Sequence, residues 1–314
     1  MKIIVTGGRG YVGQAVIAAL HGFEILSIDD TSNSFAHSPR VEGGVDYQYA
    51  DIINHSRLEQ VMLHFRPDVI IHTAAEADVS QSLEDPIRCY GVNVMGTLNV
   101  LDAARRVGCR RIIFSSSAAV YSQGSGHAVS EVSPTAPATP YGLSKLQSEQ
   151  QMSFLKWFDI TCFRYFNVAG AFKLGEHWVK ERRKNENHII PNLLNGALGK
   201  VVFSFHGDPN IVRDYVHVRD VADAHVKVLE RGFEPGRFDV YNIGSGHGIA
   251  NASLLAVASQ LWGVTVPFEL TPGRAGDPAY LVADCSKMLA EYNWQANPNV
   301  EYILKSVWEA REQP

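Results

Sequence analysis

The sequence predicts an α/β protein, a doubly wound parallel sheet with a smaller C-terminal α/β lobe. Three observations predict it. Short apolar runs alternate with segments of helical spacing along the first half of the chain, the pattern of βαβ units. The runs are apolar at consecutive positions, as suits strands buried on both faces of a parallel sheet. A glycine-rich turn joins the first run to the first helix. Right-handed crossovers then place helices on both faces of the sheet.

The elements follow in order. Residues 2–5 form the first run, stopped by Thr6-Gly7-Gly8. Val12 to Leu20 carries apolar residues at Val12, Ala15, Val16, Ala19 and Leu20, one face of a helix. Phe23 to Ile28 is a second strand ending at Asp29-Asp30. Leu58 to Phe65 is helical, and Pro67-Asp68 leads into a third strand at Val69-Ile70-Ile71. A longer helix over Tyr90 to Val107 closes on Gly108, where a C′ glycine is expected. Arg111 to Phe114 is a fourth strand, running into Ser115-Ser116-Ser117. A Pro-rich stretch (Pro134, Pro137, Pro140) precedes a helix from about Tyr141 to Trp157 and a strand at Ile160 to Phe163. From about Ala171 to Leu198 the alternation is lost. It returns with a helix at Asp220 to Leu229 and a strand at Asp239 to Ile243, and the end of the chain is helical over Ser253 to Trp262 and Glu301 to Glu312.

Composition narrows the function classes. The 314 residues include 28 Lys+Arg and 33 Asp+Glu, a formal net charge of −5, with 46% apolar and 19% charged residues. That is an ordinary globular composition, long enough for one large or two medium domains. Mild acidity, with no basic block beyond Lys180 to Lys184, argues against a nucleic-acid binder. No apolar run approaches the roughly 18 residues that span a bilayer. Cys89, Cys109, Cys162 and Cys285 are scattered, which disfavours a disulfide framework or a zinc ribbon. The N-terminus runs straight into the glycine turn, leaving no room for a signal peptide, so a reducing, cytoplasmic location is expected.

The turn reads Thr6-Gly7-Gly8-Arg9-Gly10-Tyr11-Val12-Gly13, a Gly7-x-x-Gly10-x-x-Gly13 spacing between a strand and a helix. Glycine there permits a tight turn and close approach of the backbone to a pyrophosphate, and the helix N-terminus supplies oriented N–H groups. The pattern alone is weak; its strand–turn–helix context is what the chemistry requires, and makes the fold Rossmann-type. Asp29, at the end of the second strand, can bind both ribose hydroxyls of an adenosine and repels a 2′-phosphate, which favours NAD over NADP. The expected division is an NAD-binding domain of residues 1–170 plus about 211–246, and a substrate-binding lobe of about 171–210 plus 247–314.

Tyr141 and Lys145 lie four apart in Tyr-Gly-Leu-Ser-Lys near a helix start, and so share a face. An ammonium beside a phenol favours the phenolate, which lets a tyrosine serve as a base near neutral pH. Ser117 stands at the end of the fourth strand, on the carboxyl edge where such sheets bind ligands. Alone, Tyr-x-x-x-Lys is usually a solvated helix face; the glycine turn and the strand-end serine give it meaning.

At these residues the chain resembles the extended short-chain dehydrogenase/reductase superfamily, and within it the UDP-glucose/UDP-galactose 4-epimerase family, along essentially its whole length. The landmarks are TGGRGYVG (6–13), Asp51-Ile52, IHTAAEADV (71–79), NVMGT (93–97), SSSAAVY (115–121), PYGLSK (140–145), RYFNVAGA (164–171), RDYVHVRDVADAH (213–225) and RAGD (274–277). The resemblance implies that Gly7, Gly10, Tyr11, Val12 and Gly13 line the pyrophosphate of NAD, that Asp29, Asn33 and Ser34 hold the adenosine ribose, and that Asp51 and Ile52 bracket adenine. It places Thr73, Ala74 and Ala75 beside the cofactor, with Asn93, Ser115, Tyr141, Lys145 and Tyr165 also on the cofactor side. Ser117, Tyr141, Asn167, His188, Arg213, Arg274 and Asp277 would face a UDP-hexose, arginine forking onto two diphosphate oxygens. The implied catalysts are Ser117, Tyr141 and Lys145: the phenolate takes the 4-hydroxyl proton, hydride passes from C4 to NAD, the 4-keto sugar turns, and hydride returns to its other face. A tightly held NAD and a homodimer are implied as well, the latter through the helices at Tyr90–Val107 and Tyr141–Trp157.

The chain departs from the family at Ala77, where lysine is frequent, and at Ser122, where glycine usually follows the tyrosine of SSSAAVY. The segment from Gly207 to Val212 is short for an epimerase. Leu281 falls at a gate position and favours plain hexoses over N-acetyl sugars. Sugar-nucleotide dehydratases carry an Asp-Glu pair where this chain has Ala118 and Ala119, so elimination chemistry lacks its groups. An epimerase of a UDP-N-acetylhexosamine or a UDP-uronate, or a non-catalytic NAD-binding regulator, remains as an alternative. His217 and His225 match no metal spacing and read as packing residues; no metal is expected.

Overall fold

The structure, a computed structural model, describes residues 1–32, 45–122, 126–181, 188–273 and 278–311. The first half lays down β1 (Lys2–Thr6), α1 (Tyr11–Ala19), β2 (Glu24–Asp29), β3 (Val45–Tyr49), α2 (His55–Phe65) and β4 (Val69–His72). It continues with α3 (Val79–Glu84), α4 (Pro86–Tyr90), α5 (Thr97–Val107), β5 (Arg111–Ser117), α6 (Pro140–Ser153) and β6 (Asp159–Tyr165). Next come β7 (Asn167–Ala169), β8 (Ala171–Leu174), β9 (His177–Lys180), α7 (Ile189–Ala197), β10 (Phe203–His206), β11 (Val212–His217), α8 (Val218–Leu229) and β12 (Phe238–Ile243). The chain ends with β13 (Gly248–Ala250), α9 (Asn251–Trp262), β14 (Phe268–Thr271), β15 (Tyr280–Leu281), α10 (Ser286–Tyr292) and α11 (Val300–Glu309).

Seven strands form one parallel sheet in the order β12-β6-β5-β4-β1-β2-β3. The order reverses between β1 and β4, which opens a crevice beyond their carboxyl ends. Neighbouring residues of a strand feed opposite layers. Ile3, Ile71 and Ile113 pack with Val16, Val221 and Val228 of α1 and α8, while Ile4, Ile70 and Ile112 pack with Leu58, Met62, Leu101 and Met152 of α2, α5 and α6. Each such side chain, fully withdrawn from water, contributes about 1.5–3 kcal/mol of transfer free energy, which is why the runs are apolar at every position. A third core belongs to the C-terminal lobe: Ile190, Leu193, Phe203, Phe205, Leu254, Trp262 and Leu304, with Trp308 stacked on Trp262 at 5.2 Å.

The structure adds short elements the sequence reading did not place, such as α3, α4 and β11, and ends α6 at Ser153 rather than Trp157; three further differences have a local reason. The strand Val45–Tyr49 was not foreseen, because VDYQY at a sheet edge has no apolar run. The region read as lacking alternation contains the hairpin β8/β9. The helix expected over Tyr90 to Val107 is broken at its start by a π-helical turn, Gly91–Gly96, which directs Asn93 inward; a local change of pitch of this kind re-aims a side chain. Its other end is as expected, with Gly108 left-handed (φ 82°) and its N–H on Ala104 and Arg105. Among the described residues, no helix is long and apolar enough to cross a membrane.

Candidate active site

The crevice is floored by the glycine turn. Gly7 has φ 68°, and a Cβ there would meet the Ala74 backbone at 2.7 Å. A Cβ on Gly13 would meet the Gly7 carbonyl oxygen at 2.2 Å, so α1 can start this close to β1 only with glycine. Gly10 is the N-cap of α1 and supplies no side-chain cap, so the amides at Tyr11 and Val12 point to whatever anion occupies the turn. Asp29 ends β2 and accepts the backbone N–H groups of Arg9 (3.0 Å) and Thr31 (2.8 Å); burial raises its pKa. Asp51 follows β3 and accepts the Ile53 N–H; the Ile52 side chain is buried against Gly96, and its carbonyl accepts from Asn99 Nδ2 (3.0 Å). Asn33 and Ser34 lie outside the described residues. The cradle that a single Cβ would fill fits a dinucleotide pyrophosphate.

The rear wall is a buried hydrogen-bond chain in which each proton can be assigned. Thr97 Oγ1 donates to the Asn93 carbonyl (2.6 Å), so it accepts from His72 Nε2 (3.0 Å), and His72 Nδ1 accepts from Thr6 Oγ1 (2.6 Å). Thr73 Oγ1 donates to the Thr6 carbonyl, and the Ala74 N–H reaches Thr6 Oγ1. Thr73, Ala74 and Ala75 therefore leave β4 pinned to β1. Burial, with Lys145 nearby, pushes His72 down to about 3 and keeps it neutral. Asn93, 1% exposed, holds the Glu76 amide and carbonyl and the Ser144 hydroxyl. Its side chain is saturated within the protein, so it acts on the site through what it holds.

Tyr141 and Lys145 arrive on α6. Thr139 caps the helix by accepting the Gly142 N–H, and Pro140 occupies the first turn, where its missing N–H costs nothing. A Cβ on Gly142 would lie 2.3 Å from the Ala119 carbonyl oxygen, so this glycine lets the start of α6 press against the segment after Ser117. Ser117 Oγ accepts the Ala119 N–H (3.1 Å), which leaves its own proton for a substrate oxygen. Lys145 is buried, donates to the Ser115 carbonyl (2.8 Å) and lies over the Phe114 ring; burial pushes its pKa down to about 8. Ser115 Oγ and Tyr165 continue the wall. His225 Nδ1 donates to the Val221 carbonyl, so Nε2 accepts from the Tyr165 hydroxyl (2.9 Å), whose oxygen accepts from Ser115 Oγ (2.9 Å). Burial raises Tyr165, with the neighbouring Tyr141 adding to the shift.

The residues expected to face a substrate lie on β7, on β11 and at the start of α7. Asn167 opens β7 and donates to the Asp214 carbonyl, and Arg213 on β11 donates to the carbonyls of Val212 and Pro278. His188 sits at the start of α7 and contacts Glu181 at 2.6 Å. Tyr11 reaches the Gly170 carbonyl at 2.5 Å, so its ring joins the glycine turn to the lobe junction. Arg274 and Asp277 lie outside the described residues. Leu281 pairs with Arg213 across β11 and β15 and packs beside Ala118, Phe166 and Ala283. Beside Ala77, Glu76 is buried and paired with Arg88.

The sequence reading passed over Glu149, Arg164 and the link from Tyr165 to His225. Glu149 could have been found from its helical spacing, four residues beyond Lys145. The Tyr165–His225 contact joins residues 60 apart and left no local signal.

Comparison with known proteins agrees along the whole chain. Residues 3–244 match the family described as NAD dependent epimerase/dehydratase. The UDP-glucose 4-epimerase of Lactobacillus helveticus is 32% identical over 321 residues, covering 98% of this chain and 96% of that protein. The crystal structure of UDP-glucose-4-epimerase from Stenotrophomonas maltophila, with bound NAD and formylated UDP-arabinopyranose, superposes with a TM-score of 0.92 at 31% identity, over 99% of this chain and 98% of that one. UDP-glucose 4-epimerase from Bifidobacterium longum, in complex with NAD+ and UDP, gives 0.92 at 30% identity with the same coverage. With a glycine turn at a sheet switch point and a family match over most of its length, the chain belongs to the NAD dependent epimerase/dehydratase family.

Proposed function

We propose that this protein interconverts UDP-galactose and UDP-glucose by transient oxidation at C4 of the hexose. The observation that carries the reading is the meeting of α6, bearing Tyr141 and Lys145, with the Ser117 end of β5, beside a glycine turn built for a dinucleotide. NAD is the cofactor, held by Gly7, Gly10, Tyr11, Val12, Gly13, Asp29, Asp51, Ile52 and the Thr73–Ala75 segment. When bound, its nicotinamide takes up hydride from the sugar carbon and returns it. Tyr141 accepts the 4-hydroxyl proton, favoured as phenolate by the Lys145 ammonium, and Ser117 donates to the sugar oxygen and relays the proton. Asn167, His188, Arg213, Arg274 and Asp277 hold the UDP handle, so the hexose can turn while the nucleotide stays fixed. Ala118 and Ala119 provide no acid–base pair for dehydration.

The domain division follows: residues 1–170 plus about 211–246 for the cofactor, about 171–210 plus 247–314 for the sugar nucleotide. The separate core of the C-terminal lobe supports it. The protein works as a homodimer in the cytoplasm. Support for the dimer comes from the exposed apolar side chains Leu83, Ile87, Met95 and Leu143 on and between α3, α4 and α6. A solution mass near 34.6 kDa would refute it.

The test is to incubate the purified protein, with no added cofactor, with UDP-galactose and follow UDP-glucose by NMR, with UDP-N-acetylgalactosamine in parallel. Conversion of the plain hexose alone is expected, from co-purified NAD and the bulk of Leu281. Conversion of both sugars overturns the reading of Leu281. No conversion after NAD is added overturns the reading as an epimerase of these hexoses, and points to another nucleotide sugar or to a non-catalytic NAD binder.

A further inference from the structure

Glu149 lies one helical turn beyond Lys145 on α6, and the two side chains grip consecutive residues of β5. Lys145 Nζ donates to the Ser115 carbonyl (2.8 Å), and Glu149 accepts the Ser116 hydroxyl (2.5 Å). The next residue is Ser117. Glu149 also accepts Arg164 through Nε (3.0 Å) and Nη2 (2.6 Å), and Arg164 in turn donates to the Glu131 carbonyl and lies over the Tyr121 ring. Lys145, Glu149 and Arg164 are 3%, 3% and 5% exposed. Two cations and one anion leave this buried group one positive charge in excess, with Tyr141 next on the same helix face.

We propose that Glu149 is a positioning residue for the reaction, one that clamps α6 to β5 beside Ser117 and holds Lys145 as an ammonium. The part concerning Lys145 bears on catalysis only if Tyr141 is the base, as read above. Lys145 is faced by Cys89 from α4, Cys162 from β6, His72 from β4, the Phe114 ring from β5 and Glu149 from its own helix. Burial pushes both thiols up and the imidazole down, so all three are neutral near neutral pH. Glu149 is the carboxylate that acts on Lys145, against a burial that pulls the ammonium down to about 8. Without it the lysine loses its proton at a lower pH, and the ammonium on the Tyr141 face of the helix, which favours the phenolate, is lost with that proton.

The test uses the full-length, NAD-loaded protein carrying 13Cε-lysine, with the Lys145 resonance assigned through Lys145→Arg. In Glu149→Gln the Lys145 titration is expected to fall by about one pH unit or more. The alkaline limb of kcat against pH should fall with it, while KM for UDP-galactose changes by less than about threefold. Glu149→Asp should restore part of both. Glu149→Gln leaves Arg164 buried without its anion, so Glu149→Gln/Arg164→Gln is made alongside; it should move the titration the same way by a smaller amount. An unmoved Lys145 titration in the double variant, with cooperative melting retained, overturns the electrostatic role. Ser116→Ala cuts the clamp and keeps the charge; it should lower kcat about tenfold without moving the titration, and a wild-type kcat there overturns the clamp. Should the wild-type protein epimerise no UDP-hexose, the functional reading fails, and the NMR titration still decides the hold of Glu149 on Lys145.

Discussion

Beneath the crevice of the sheet half run two closed hydrogen-bond chains, the buried Thr6, His72 and Thr97 in one, and Ser115, His225 and the partly buried Tyr165 in the other. On the side expected to face the substrate the candidate ligands are half-buried: Arg213 meets the carbonyls of Val212 and Pro278, and His188 meets the Glu181 carboxylate. A saturated buried network has one arrangement, because leaving any member unpaired costs its desolvation. A half-buried arginine on carbonyls can change partners at small cost. The side that would hold the reactive ring is thus preorganised before any ligand arrives, whereas an arginine on carbonyls keeps groups that a diphosphate can replace. An epimerase needs both a fixed hydride acceptor and a fixed handle, with the hexose between them free to present either face.

The largest effect that sharpens the contrast is expected from Tyr141→Phe. Turnover should fall by about 10²–10⁴-fold while the co-purified NAD, read by absorbance after denaturation, stays near one per chain. Loss of the cofactor together with activity would break the assignment of Tyr141 as base. Next, Arg213→Ala should raise KM for UDP-galactose by about ten- to a hundredfold, a loss of 1.4–2.8 kcal/mol, with kcat changed far less. A fall in kcat at unchanged KM would place Arg213 on the rigid side. On the buried side, Thr97→Val removes the acceptor of His72 Nε2 and should cost about 1–3 kcal/mol of stability by denaturant titration, with KM unchanged.

Acid should distinguish the halves too. His72 is pushed to about 3, and His217 and His225 to about 4, all by burial, from an ordinary value of 6.5. Their folded pKa values lie below the unfolded one, so the unfolded chain binds the extra protons. The stability they contribute is complete above about 6.5 and is lost as pH falls toward 3–4. Thermal melts between pH 7 and 4 should show a falling Tm, less steep in a His225→Gln variant. The smallest effect is expected from Leu281→Ser, which should admit UDP-N-acetylgalactosamine at a few-fold cost to the plain hexose, on the order of 1 kcal/mol. An unchanged sugar preference would take Leu281 out of the sugar site.

Much of this was legible in the sequence. The consecutive apolar positions of Ile3-Ile4-Val5 and Ile112-Ile113-Phe114 announced strands buried on two faces, and Gly7, Gly10 and Gly13 announced the turn. Gly108 stopped its helix where expected. What stayed hidden depended on the fold rather than on local pattern. Val45–Tyr49 alternates Val, Tyr and Tyr with Asp and Gln over only five residues, a short strand signal that β2 completes by offering it an edge. The π turn at Gly91–Gly96 exists because Asn93 finds Glu76 and Ser144, residues 17 and 51 positions away. His225 looked like a packing residue, and only the fold puts its Nε2 beside Tyr165.

The sheet is not laid down in the order in which it is paired. Its last strand, β12, hydrogen-bonds along β6 from Phe238↔Ile160 to Ile243↔Tyr165, yet the ribosome makes the first part of the C-terminal lobe between them. At a synthesis rate of about 5–20 residues per second, β6 waits on the order of ten seconds with one row of amides and carbonyls unpaired. For that interval the nascent protein carries an open, apolar edge of the kind that recruits other chains. The half-made sheet thus keeps one strand edge open until residue 243 has been added, and slow codons placed before residue 238 would lengthen that interval.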